Sequence, residues 1–163
     1  MLSLTRNLIP NFWSEIPSRL YIAPFFMPSY RFTKAERLKS KKIIDRIFNR
    51  EGESFGIYPL RLVWLETPLS TTSPIQFALS VPKRNFKKAV DRNRLRRQIR
   101  EAYRLNKHKL YDFLEDKGLQ YAFMVLYTGK KAVSYQEIEQ KIELIIKRFI
   151  KIQVKKEKNR KSS

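Results

Sequence analysis

The chain has 163 residues, of which 35 are Lys or Arg and 15 are Asp or Glu, giving a formal net charge of +20. That length points to one domain, and a hydrophobic fraction of 42% with 11 Phe and 8 Tyr is enough for a modest packed core. The absence of Cys excludes disulfides, thiolate zinc sites and a cysteine nucleophile. No apolar run is long enough to span a bilayer; the charge points to nucleic acid or an anionic membrane surface, and with the basic motif described below no membrane partner is expected.

Residues 1–32 are rich in aromatic residues and proline and show no sustained period. They read as an N-terminal extension, either a mobile arm or one short helix near 11–20 if translated, or a mis-called leader ahead of a true start at Met27. A secretory signal is weakly supported, and Glu15 and the prolines count against a transit peptide. A single domain follows over 33–154. Thr33 to Glu36 has the spacing of a capping box, and Ser40 is a second candidate N-cap. The helix they open carries Ile43, Ile44, Ile47 and Phe48 as a wide apolar band and ends near Gly52. One part of that band should pack on a sheet while another stays open.

Strands are expected at Phe55 to Tyr58, Leu60 to Glu66 and Gln76 to Val81. The second alternates Leu60, Leu62 and Trp64 against Arg61, Val63 and Leu65, and the third carries Phe77, Leu79 and Val81 on one face. The Ser/Thr/Pro-rich stretch 67–74 is a loop. Pro82 stops the third strand, with Lys83 and Arg84 at its mouth. A basic helix runs from about Ala89 to Phe113, and 115–118 turns the chain. Tyr121 to Tyr127 is a continuous apolar run, which suits a strand with neighbours on both sides. Ser134 to Glu137 is another capping box, and behind it Ile138, Ile142, Ile145, Phe149 and Ile152 form a helical stripe. The Lys/Arg-rich tail 155–163 should fray. The order α-β-β-β-α-β-α gives an α+β fold, a small mixed four-stranded sheet with helices.

The basic helix dominates the functional reading. Between Lys83 and Lys109 there are twelve Lys/Arg against Asp91 and Glu101, a local balance of +10. At ~100° per residue, Leu95, Ile99 and Ala102 make an apolar stripe, continued by Asn106 and Leu110. Arg96, Arg97, Arg100, Arg104 and Lys107 fall opposite. Stacked guanidiniums repel one another, and a polyphosphate neutralises them best because each planar fork matches a phosphate bidentately.

The same stretch resembles the signature of the protein component of bacterial ribonuclease P. The match consists of Ala89, Arg92-Asn93-Arg94-Leu95-Arg96-Arg97 and Ile99-Arg100, and the resemblance extends from about Arg37 to Phe149. It implies a left-handed β-α-β crossover, contrary to the general rule for such units. It also implies a role in removing the 5′ leader of precursor tRNA beside a catalytic RNA, one protein per RNA, in the cytoplasm. By resemblance Arg92, Asn93, Arg94, Arg96, Arg97 and Arg100 contact the catalytic RNA, with Arg104, Lys83 and Arg84 as further phosphate contacts. A groove between the first helix and the sheet would hold the single-stranded leader. Phe48 matches the family's leader-contacting aromatic, Ile44 stands where another Phe is usual, and Tyr58, Trp64 and Phe77 are further aromatic candidates, Phe77 fitting the core better.

No nuclease centre is legible in the chain. His108 is the only His, and Asp112, Glu115 and Asp116 sit at a helix end and its turn, where solvated carboxylates are ordinary. The resemblance therefore implies magnesium ions held by the RNA subunit, with no dedicated metal site in this protein and no DNA partner. The alternative reading is a ribosomal protein or general RNA chaperone, which accounts for the charge but not for the Arg-Asn-Arg pattern.

Overall fold

The structure is a computed structural model that describes residues 31–115 and 117–161. The readings made for the N-terminal extension up to residue 30, and for Asp116, lie outside the described residues. Ser40 rather than Thr33 caps the first helix. Its Oγ accepts from the Ile43 N–H at 3.4 Å and opens α1, Lys41–Phe48. Thr33 N–H does bond the Glu36 carboxylate, at 2.5 Å, but no helix follows. Instead residues 36–38 run along a strand, with Phe77 N–H bonded to Glu36 O at 2.7 Å and Leu38 N–H to Phe77 O at 3.1 Å. Arg50, at φ 64, turns the chain after α1. Gly52 then passes against the sheet, where a Cβ would lie 2.6 Å from the Trp64 carbonyl oxygen.

Four strands follow, β1 Glu53–Ile57, β2 Leu60–Glu66, β3 Ile75–Ser80 and β4 Tyr121–Tyr127. They form one sheet in the order β1-β2-β4-β3, antiparallel except for the β3–β4 pair. The apolar run of β4 is explained by this position, since β2 and β3 flank it and every residue of it but Leu126 is buried. The connection from β3 to β4 contains α2, Ala89–Asn106, and α3, His108–Glu115. The single basic helix expected to reach Phe113 is therefore two helices, broken at Lys107. The last helix, α4, is Tyr135–Lys161, and Ser134 Oγ accepts from Glu137 N–H at 3.2 Å as the capping box requires. Where composition predicts fraying from residue 155, α4 continues as helix. Lys156 pairs there with Glu53, and Glu157 with Lys117.

The sheet has two unlike faces. On one, Leu60, Leu62, Trp64, Phe77, Phe123 and Val125 pack against Leu95 and Ile99 of α2 and Ile142 and Phe149 of α4. Rings interlock there. Trp64 and Phe149 centroids lie 5.5 Å apart, edge to face, and Phe77 stacks on Tyr103 at 4.1 Å. On the other face Leu65, Ala122 and Met124 pack with Ile47 of α1 and with Leu38, and Ile43, Ile44, Val63, Ala78 and Leu126 are only partly covered.

Candidate nucleic-acid interface

The arginine face is built by α2. Leu95, Ile99, Ala102 and Tyr103 are its buried residues, so the opposite side has nowhere to go but outward. Val90, Asn93, Arg96, Arg97 and Arg100 line a shallow depression of about 580 Å³. Arg96 and Arg100 also line an adjoining depression of about 430 Å³ with Arg37, Lys39 and the edge of β3 at Phe77 to Leu79. No acidic side chain pairs with Arg96, Arg97 or Arg100 among the described residues. Asn93 is exposed, and Arg94 is exposed on the shoulder of the helix. Lys83 and Arg84 are exposed in the turn after β3. That turn is anchored by the Asn85 amide, which donates to Gly129 O at 3.0 Å.

Three basic residues have partners within the protein. Arg92 is half-buried and donates to the carbonyls of Phe86 and Lys87 at 2.8 and 2.6 Å. Lys88, the N-cap position, supplies no side-chain cap, and Arg92 braces the helix start through one guanidinium nitrogen. Arg104 pairs with Glu101 at 2.6 Å, which holds the Glu101 carboxyl below its ordinary range and raises the guanidinium further. Lys107 is not on the basic face at all. It is buried, pairs with buried Glu36, and donates to Arg31 O at 2.5 Å. A helical projection sees only solvent there, but the segment 31–38 crosses the end of α2, with Phe32 packed edge-on against Phe77 and Tyr103.

The second surface is the thinly covered face of the sheet. Strand register places Gly56, Arg61, Leu126 and Ser80 side by side in one row. α1 covers the neighbouring part of the sheet through Ile47. In that row Gly56 and Arg61 are exposed, and Leu126 and Ser80 are half-buried. Phe48 is 59% exposed and follows Ile44 by one turn on the same side of α1, and Ile44 is half-buried. Tyr58, in the β1–β2 turn, is 69% exposed. Trp64 is 3% exposed and faces the opposite side of the sheet, against Phe55 and Phe149, so its assignment to the leader groove is wrong. Alternation along β2 puts Trp64 with Leu60 and Leu62 on the packed face, and that parity outweighs the suitability of its ring for stacking. Phe77 is core, as its strand pattern indicated. Arg61 is on the other side of the β2 alternation, with Val63 and Leu65, and lies in the open row. Asp112 and Glu115 are exposed on α3. No group of three or more His, Cys, Asp or Glu among the described residues is placed to hold a metal ion.

The ribonuclease P family profile matches residues 32–150. The chain belongs to the ribonuclease P protein family. The ribonuclease P protein component of Porphyromonas gingivalis strain W83 is 33% identical over 116 residues, 71% of this chain and 84% of that protein. The same component from Chlorobium phaeobacteroides is 32% identical over 123 residues, covering 69% and 84% of the two chains. The solved RNase P protein of Thermotoga maritima superposes with a TM-score of 0.54 at 21% identity, over 69% of this chain and 96% of that one. That of Staphylococcus aureus gives 0.53 at 22% identity, over 70% and 94%. These structures share the mixed sheet and its helices. As a ribonuclease P protein the chain is one component of an endoribonuclease that processes tRNA.

Proposed function

We propose that this ribonuclease P protein holds the catalytic RNA with the outward side of α2 and the 5′ leader of precursor tRNA with the open half of the sheet beside α1. The observation that carries the reading is the pairing pattern of the arginines. Arg96, Arg97 and Arg100 lack acidic partners among the described residues, whereas Arg92 and Arg104 are held within the protein. Cations left unpaired on a helix that already has acids to pair with are disposed toward an external polyanion, and folded RNA supplies phosphates at that density. Asn93, Arg94, Lys83 and Arg84 extend the contact from either end. The leader, being single-stranded, suits a floor of Leu126 and Ala78, a cation at Arg61 and a ring at Phe48, with Tyr58 at the margin.

Hydrolysis belongs to the RNA subunit in this reading, with magnesium ions held there, and the protein contributes binding and register. In support, the chain has one His, and its exposed carboxylates on α3 stand apart from both RNA-facing surfaces. One protein per RNA, in the cytoplasm, completes the proposal.

The test is a pair of titrations of the reconstituted particle with precursor tRNA, with and without its leader. The protein should tighten binding of the leader-bearing form well beyond that of mature tRNA. Equal tightening of both would refute the groove assignment. Cleavage of precursor tRNA by the protein and magnesium without RNA would refute the placing of the chemistry.

A further inference from the structure

Glu36 and Lys107 are both buried, in a chain with more than twice as many basic as acidic residues. One carboxylate oxygen of Glu36 takes the Lys107 ammonium and the Tyr111 hydroxyl, the latter at 2.7 Å. The other oxygen takes Thr33 N–H. The backbone of Glu36 is bonded to Phe77 in β3. One residue therefore ties three elements together: the edge of the sheet, the end of α2, and the segment that two residues later plants Leu38 under α1. A buried ion pair adds little stability over apolar side chains of the same volume, so its presence calls for a role in geometry. α1 needs such help. It has eight residues, only Ile47 of them is fully buried, and the remaining hold on the sheet is the partial packing of Ile43 and Ile44 and one long bond from Arg46 to Thr67 Oγ1 at 3.4 Å, a thin grip for fixing its position.

We propose that the Glu36–Lys107 pair is a positioning device that sets the spacing between α1 and α2, and hence between the leader groove and the arginine face. This rests on the reading of those two surfaces given above. The RNA subunit and the leader are parts of one bound assembly, so their two sites on the protein must keep a fixed separation. Phosphates on α2 pull on a helix whose end is clamped at Lys107, and the clamp carries that position through residues 36–38 to α1.

The chain lacks Cys, so Asp45→Cys and Asp91→Cys, both at exposed positions on α1 and α2, accept spin labels uniquely. The labelled protein should give one narrow distance. Lys107→Met alone strands the carboxylate and should lower the melting temperature. Glu36→Leu combined with Lys107→Met should recover most of the melting temperature yet broaden the label distance. In the unlabelled double variant, the preference of the reconstituted particle for leader-bearing over mature tRNA should fall roughly tenfold, a loss of about 1.4 kcal/mol. An unbroadened distance overturns the proposal, and so does a broadened distance with full leader preference. If the double variant does not fold, Tyr111→Phe removes one bond to the same carboxylate and keeps the ring. It should broaden the distance to a lesser degree, and an unchanged distance again overturns the proposal. Phe48→Ala run in parallel separates the two levels. If it leaves leader preference intact, the groove reading fails. If it lowers the preference while the pair-free variants do not, only the positioning role fails.

Discussion

The two faces of the sheet are made from the same alternating strands and end with opposite characters. One face carries the large rings, is covered by α2 and α4, and is closed. The other carries Ala78, Val63, Leu126 and Arg61, is covered by an eight-residue helix, and is half open. Burial of aromatic area supplies most of the folding energy, so the first face stabilises the domain and the second can stay partly open. An apolar surface left partly bare is a cost that a protein keeps only where something covers it.

Substitutions that exchange the roles of the faces should break this comparison. The largest effect is expected at Trp64. Trp64→Ala empties a site between Phe55 and Phe149 and should cost about 3–5 kcal/mol of stability in a denaturant melt. Binding of leader-bearing and mature tRNA should then fall together as the fold loosens. Phe48→Ala on the open face should leave the melt nearly unchanged. Titrations should show a loss of about 1–3 kcal/mol of affinity for leader-bearing tRNA only, the range for one stacked base.

Arg97→Ala with Arg100→Ala should lower the salt dependence of binding to the catalytic RNA by about one unit per lost phosphate contact, with the melting temperature held. Arg104→Ala should change that slope less, because Glu101 already partners it. The smallest effect concerns acid. Burial pushes the Glu36 carboxyl up, but the bonds from Lys107, Thr33 N–H and Tyr111, together with the ammonium charge, outweigh it and hold it below its ordinary 4.5. Its share of stability is therefore present above 4.5 and is lost as pH falls through the lower folded value. The stability difference between wild type and Glu36→Gln should shrink as melts are repeated below 4.5, and a difference independent of pH would count against the pair.

Local pattern carried much of this arrangement. The limits of β2 and β4, both Ser caps and the apolar stripe of α2 depend on neighbours within a few residues, and the sequence displays them directly. Arg92 and Lys107 are harder to read: the partners of Arg92 are nearby but are backbone carbonyls, which no side-chain pattern displays. For Lys107 the partner lies in a segment that pairs with a strand and then crosses a helix end, a contact that no periodicity encodes. Trp64 is a different case, since its parity is visible in the sequence and outweighs its ring chemistry. The groove row of Gly56, Arg61, Leu126 and Ser80 exists only once β4 is known to lie between β2 and β3.

That central position of β4 has a consequence for how the chain acquires its shape. β1 and β2 are joined by a two-residue turn and can pair as soon as both exist. Among the described residues β3 pairs only with β4 and with the segment 36–38, and β4 follows after α2 and α3. The arginine helix thus lies inside a long loop whose closure is the entropically expensive step of folding, so the sheet should assemble slowly and late. Pulse-labelled hydrogen exchange should show the amides of β3 becoming protected together with those of β4 and after those of the β1–β2 hairpin. Protection of β3 with the hairpin would contradict this order. Until β4 docks, the arginine helix has no complete sheet to lie on.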